Sequence, residues 1–228
     1  MLMLILGWVL ASTPYNAAPL PPSSTAASIA GLAPQANPDA IALALAAMRC
    51  AQAEGVGAGA HRLALIDYSR PSTEPRLWVF DLGENRLLYQ EVVAHGRGSG
   101  ENLATLFSNL GGSHASSLGL FLTRDTYFGR NGNSLRMEGL EPGVNDGAMR
   151  RAIVMHGADY VDPSAATRQG RLGRSWGCPA IRQAIARGMI DVLKDGQFVF
   201  AYHPDATWLS HSALRKCAEA RARSTSGG

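Results

Sequence analysis

Cys178 and His156 are the residues of this chain best suited to chemistry. Cys178 lies in Arg174-Ser-Trp-Gly-Cys-Pro-Ala-Ile181, and His156 ends the apolar run Arg151-Ala-Ile-Val-Met-His, followed by Gly157. A thiol at a Gly-containing turn and an imidazole at a strand end are the parts of a cysteine nucleophile and its base. A free thiol, with a pKa of about 8.5, needs help to ionise at neutral pH. Pro179 suits the first position of a helix, which would make Cys178 its N-cap, where exposed amides and the helix dipole favour a thiolate. An imidazolium at His156 would favour the same charge. Gly177 lets a substrate approach the backbone, and the amides of Gly177 and Cys178 are candidates to hold an oxyanion. Ser175 is either a hydrogen-bonding member of the site or a turn-former before a helix. The second ring nitrogen of His156 needs an orienting partner. Asp159 and Asp162 lie in the loop beyond it, so a backbone carbonyl such as that of Gly157 is the candidate. The alternative for Cys178 is an inert, buried, small apolar side chain.

The elements that must position these residues are short and β-rich. Leu63–Ile66, Leu77–Phe80 and Leu87–Val93 are apolar runs separated by turn-forming residues, the pattern of a β-meander. Ser116–Thr123 and Arg151–His156 read as further strands, Asn131-Gly132 as a hairpin turn, and Gln197–Tyr202 as a terminal strand. His95-Gly-Arg-Gly-Ser-Gly100 is Gly-rich, but no Lys-Ser/Thr follows it, so it is not a phosphate loop. The spacing predicts a helix from Pro38, capped by Asn37 and carrying Ile41, Leu45 and Met48 on one face. A second helix is expected from Pro179, with Ile181, Ile185 and Met189 on one face and Gly196 as its stop.

The 228 residues, 46% of them hydrophobic, suffice for one sizeable core plus a short appendage. A formal charge of +3 without a Lys/Arg run gives no nucleic-acid footprint. The start, Met-Leu-Met-Leu-Ile-Leu-Gly-Trp-Val-Leu-Ala11, is too short to span a bilayer. It reads as an export signal over residues 1–18, with Val9-Leu10-Ala11 or the Ala17-Ala18 neighbourhood as the cleavage region, although no positive charge precedes it. A buried N-terminal helix is the alternative. Residues 19–37 read as an Ala/Pro/Ser-rich linker, 38–217 as one domain with its core over 62–204, and 218–228 as a flexible tail. Export would place the protein in the periplasm or cell envelope, with no stable membrane insertion once the signal is cleaved. Of the three cysteines, pairing Cys50 with Cys217 would leave Cys178 free. The six histidines and three cysteines show no zinc-ligand spacing. No metal or other cofactor is expected, and convergence of His95, His114 and His156 on a metal would need the fold to bring them together.

His156-Gly157 followed by Ser175-Trp-Gly-Cys178 resembles the active-site motif of the YkuD-type L,D-transpeptidases. More narrowly, the chain is similar to the murein L,D-transpeptidase catalytic domain family. The likeness runs from about Leu63 to Tyr202 and includes Leu65-Ile-Asp-Tyr-Ser69, Val93-Ala-His-Gly96 with Ser99-Gly100, Phe107-Ser-Asn109, Ser116-Ser-Leu-Gly119 and Gly173–Pro179. The resemblance implies an antiparallel β-sandwich with flanking helices and one helix after the cysteine. It implies Cys178 as nucleophile and His156 as general base, with Ser175, Gly177 and Gly157 completing the site. Arg174, Trp176, Asn109 and Ser117 are then candidates to touch the substrate, a peptidoglycan stem peptide cleaved at a diaminoacyl–D-alanine bond. A carbapenem would be a covalent inhibitor. Two positions depart from the family pattern: Trp176 replaces a frequent His, and Ala180 replaces an Arg that helps hold an anionic peptide, a task left to Arg174 or Arg182 unless these are merely solvated. Transfer to water would make the chain a carboxypeptidase or endopeptidase, and a non-catalytic peptidoglycan-binding domain is the reading from a different class.

Overall fold

The computed structural model describes residues 25–217 and residue 220. The expected export signal and nearly all of the expected tail lie outside the described residues.

Eight strands form one sheet. They are β1 (Arg62–Asp67), β2 (Leu77–Asp81), β3 (Arg86–Glu91), β4 (Gly119–Gly129), β5 (Gly132–Gly139), β6 (Val154–Ala158), β7 (Ala180–Arg182) and β8 (Phe198–Tyr202), in the order β3-β2-β1-β8-β4-β5-β6-β7. The meander expected from the three apolar runs is β1-β2-β3, antiparallel throughout. β4 and β5 form a hairpin whose last pair, Gly129↔Gly132, leaves Arg130-Asn131 as a two-residue loop.

The sheet differs from the antiparallel sandwich expected. It is mixed: β1 runs parallel to β8 and β6 parallel to β7. Nor are there two separate layers, because beyond β3 the chain continues to Ala94, which bridges Ala180 of β7. The two edges of the sheet thereby meet, and the sheet is nearly closed, like a barrel.

The helices are α1 (Ala26–Leu32), α2 (Pro38–Ala53), α3 (Pro163–Gln169), α4 (Gln183–Leu193) and α5 (Ala206–His211). α2 begins as its sequence dictates: the Asn37 side chain accepts from the Asp39 amide and Pro38 occupies the first turn. Its apolar face, including Ile41, Leu45 and Met48, is buried in the main core with Leu63, Phe80 and Phe198. Within the segment read as a linker, α1 forms with Thr25 as N-cap and with Ile29 fully buried. Tertiary contact with α2 and β3 orders this Ala-rich stretch, which has no periodicity of its own to announce a helix.

The helix expected at Pro179 starts only at Gln183. Residues 180–182 are extended because their backbone groups pair on both sides, with β6 and with Ala94. This ladder overrides local helix propensity. The parallel β6–β7 pair needs a crossover, and the connection carrying α3 supplies it. Cys50 of α2 and Cys217, in the helical segment after Ser212, are joined by a disulfide with Cα atoms 6.2 Å apart. Cys178 is a free thiol.

Candidate active site

Cys178 is therefore not a helix N-cap. It ends a turn leading into β7, alongside β6. Its Sγ lies 3.5 Å from the Val154 amide and 3.7 Å from the Ala152 carbonyl. The register His156↔Ala180 puts the imidazole on the neighbouring strand, and the His156 amide donates to the Pro179 carbonyl. The thiol thus sits in the turn two residues before the position of β7 that pairs with His156 of β6.

Ser175 organises the turn. Its hydroxyl donates to the Cys178 carbonyl at 2.6 Å and accepts from the Gly177 amide at 3.1 Å. The second bond corrects the expectation that the Gly177 amide is available to an oxyanion, because that donor is already used. The Cys178 amide makes no hydrogen bond among the described residues and remains available. Gly177 has φ +120°, and a Cβ there would lie 2.9 Å from the Ala115 carbonyl oxygen. Glycine is required by both conformation and space.

A second clamp holds the turn from below. The Ser116 hydroxyl donates to the Gly177 carbonyl and accepts from the Gly96 amide, each at 3.0 Å. The Ser175 amide donates to the His95 carbonyl, and the Arg97 amide donates to that of Ser175. His95 itself is fully buried. Its Nδ1 faces the equally buried Arg76 guanidinium at 2.8 Å, and burial followed by that positive charge holds its ring pKa down at about 4. The Gly-rich loop is thus a brace for the cysteine turn.

His156 is buried, and its Nδ1 lies 2.8 Å from the Gly157 carbonyl oxygen. A ring nitrogen facing a carbonyl carries the proton, which leaves the lone pair on Nε2. Burial lowers the pKa of this ring, against the raising effect of the Gly157 bond. Burial pushes the Cys178 thiol up, opposed by the Val154 amide and by the positive charge of Arg151. Both shifts favour a neutral resting pair, thiol and imidazole, over a standing thiolate–imidazolium pair.

The candidate substrate contacts have other partners. Arg174 is paired with Glu101 at 2.7 Å, and Arg182 with Glu91. Asn109 joins Asp146 to the Gly147 amide. Ser117 is buried, donates to the Ser108 carbonyl and accepts from Arg151. Trp176 alone of these five faces solvent, 69% exposed and stacked on His114 with centroids 4.9 Å apart. Arg151 is the residue that sequence reasoning missed. Its only signal was its place at the start of the apolar run before His156, as the second of the pair Arg150-Arg151. Beyond His156, the residues Arg130, Asn131, Gly157, Asp159, Tyr160 and Gln183 border an open polar cleft of about 420 Å³. Among the described residues, no group of three His, Cys, Asp or Glu side chains is placed to hold a metal ion, and no helix is long and apolar enough to cross a membrane.

A family model described as the L,D-transpeptidase catalytic domain matches residues 32–202. Comparison with curated proteins gives no significant match. Among solved structures, the chain is similar to an L,D-transpeptidase from Mycobacterium smegmatis, at 14% identity and TM-score 0.40, over 64% of this chain and 60% of that one. It is also similar to the LD transpeptidase LdtMt1 in complex with imipenem, at 13% identity and TM-score 0.39, over 63% and 60% of the two chains. The helical cell shape determining protein Pgp2 from Campylobacter jejuni matches at 14% identity and TM-score 0.43, over 71% of this chain and 53% of that one. The chain spans less than two thirds of the length of each of these three.

Proposed function

The chain belongs to the L,D-transpeptidase catalytic domain family, and from that premise we propose that it crosslinks peptidoglycan stem peptides by acyl transfer through Cys178, outside the cytoplasmic membrane. The observation that carries this reading is the buried His156 ring, with Nδ1 tied to the Gly157 carbonyl, on the strand that pairs with β7 just after the turn that holds a free thiol. That tie leaves Nε2 as the proton acceptor.

In the first half-reaction Nε2 takes the Cys178 proton as Sγ attacks the carbonyl of the diaminoacyl–D-alanine bond. The C–S bond forms and the carbonyl oxygen becomes an oxyanion facing the free Cys178 amide. Collapse breaks the C–N bond, and the imidazolium returns its proton to the departing D-alanine amine. In the second half-reaction an amine of another stem peptide loses a proton to His156 and attacks the thioester. The new amide forms, and the thiolate leaves and recovers that proton. The neutral resting pair suits this sequence, since the proton moves only as the attack proceeds. Acylation by a carbapenem follows from the same chemistry, because a strained lactam carbonyl meets the same nucleophile. Incubation with purified muropeptides followed by mass spectrometry tests the reading. Crosslinked dimers with release of D-alanine are expected. Trimming alone would reassign the acceptor to water, and unchanged muropeptides would overturn the proposal.

A further inference from the structure

Arg151 lies in the turn before β6 and reaches back under the cysteine turn. Its Nη1 donates to the Ser108 carbonyl and the Ser117 hydroxyl, both at 2.6 Å. Its Nη2 donates to the Ala115 carbonyl at 2.5 Å and the Ser113 hydroxyl at 3.3 Å. The same Nη2 would stand 3.3 Å from a Cβ on Gly177, the residue before the nucleophile. All four acceptors are neutral, and among the described residues no carboxylate pairs with this guanidinium. A half-buried cation without an anion is costly to keep. The neighbouring arginines contrast with it: Arg174 and Arg182 are matched to Glu101 and Glu91.

We infer that Arg151 is the countercharge for the negative charge that forms at Cys178, a positioning residue that acts on the thiol through the field of its guanidinium. The inference rests on Cys178 being the nucleophile. Ser108, Ser113, Ala115 and Ser117 are its cradle: they fix the fork without neutralising it, so its charge remains directed at the turn. The other groups facing the thiol are ill suited to that task. His156 on β6 rests neutral and becomes positive only by taking the thiol's own proton. Tyr160 beyond β6 and Tyr68 beyond β1 are phenols pushed up to about 12, first by burial, so each is neutral at pH 7. The opposing pull of Arg151 on the thiol and of the thiol on Arg151 fits the same arrangement.

The test is the pH dependence of iodoacetamide alkylation of Cys178 in the full chain, which needs no peptidoglycan substrate and so stands apart from the transpeptidase reading. Arg151→Gln should move the midpoint up by about one pH unit, a roughly tenfold slower alkylation at pH 7, as expected for loss of an opposite charge nearby. Arg151→Lys keeps the charge and loses the fork, so its midpoint should stay near that of the wild type. Ser117→Ala loosens the cradle and keeps the charge, and it should leave the midpoint in place. If Arg151→Gln does not fold, the lysine variant decides alone: a retained midpoint supports the inference, and an upward shift of about a unit overturns it. An unshifted midpoint in folded Arg151→Gln, or equal shifts in the glutamine and lysine variants, also overturns it.

Discussion

Replacing Gly177 with alanine tests the geometry of the nucleophile turn. The residue sits at φ +120°, outside the region an L-residue adopts without strain, which costs about 1–3 kcal/mol. The added methyl would also meet the Ala115 carbonyl oxygen at 2.9 Å and Ile153 Cδ1 at 3.0 Å. Those neighbours are held in place, Ala115 by Arg151 and Ile153 by the core, so the contact adds to the strain. We expect a total loss of about 2–4 kcal/mol, a fall in Tm of roughly 5–15 °C for a domain of this size. Gly170→Ala is the matched control. It has φ +74° at the end of α3, with nothing within 4 Å of the new methyl, and should cost only about 1 kcal/mol. Thermal unfolding of both variants, with iodoacetamide alkylation of Cys178 measured alongside, separates the contributions. If the turn yields locally, Gly177→Ala will show a smaller fall in Tm but an altered alkylation rate. A loss no greater than that of Gly170→Ala, together with a wild-type alkylation rate, would refute the tight turn.

His156 is held below its usual value of 6.5 by burial, so it stays able to accept a proton below that pH. The acid limb of kcat/KM should fall below pH 6.5, and His156→Gln should cut turnover by about 100-fold or more and abolish that limb; an unchanged pH profile would exclude His156 as the base. A histidine kept neutral by folding takes up its proton on unfolding. Stability should therefore be full above pH 6.5 and decline as the pH falls toward 4, with His95, held at about 4, contributing in the same direction; urea midpoints that do not change between pH 7 and pH 4.5 would contradict this. Reduction, or Cys50→Ser with Cys217→Ser, should lower stability by up to about 5 kcal/mol, because the bridge closes a long loop, without changing the alkylation of Cys178, because the bridge joins helical segments outside the cysteine turn; equal urea midpoints before and after reduction would speak against it. A carbapenem should add once to the wild type and not at all to Cys178→Ala by intact mass, and an adduct that survives in the variant would point to another nucleophile.

The strands were legible where apolar runs alternate with turn residues, because a meander is a local pattern: β1, β2, β3 and the β4–β5 hairpin are close to their expected positions. What could not be read depends on distant pairing. Pro179 before Ile181, Ile185 and Met189 carries a helical signal, yet residues 180–182 form a strand because β6 and Ala94 lie on either side of them. The same distance hides the parallel pairing of β1 with β8, the first and last strands along the chain. Around the site, the motif points to a thiol and an imidazole, and the structure puts the imidazole on β6 and the thiol in the turn that leads into the adjoining β7. It does not reveal that Glu101 and Glu91 occupy Arg174 and Arg182, nor that Arg151 goes without a carboxylate. Those facts arise from segments distant in sequence that meet only in the folded chain. α3 is a different case: Asp162-Pro163 and Gly170 are ordinary local cap signals, and a helix between them is legible in the sequence itself.

The most direct measurement of the central claim is rapid-quench intact-mass analysis of the protein with a stem tetrapeptide ending in diaminoacyl–D-alanine, without an acceptor. The account predicts a mass gain equal to the peptide less D-alanine, carried on Cys178, removed by hydroxylamine as a thioester is, and absent from Cys178→Ala. Release of D-alanine with no adduct on Cys178 at any quench time, or at the same rate from Cys178→Ala, would contradict it.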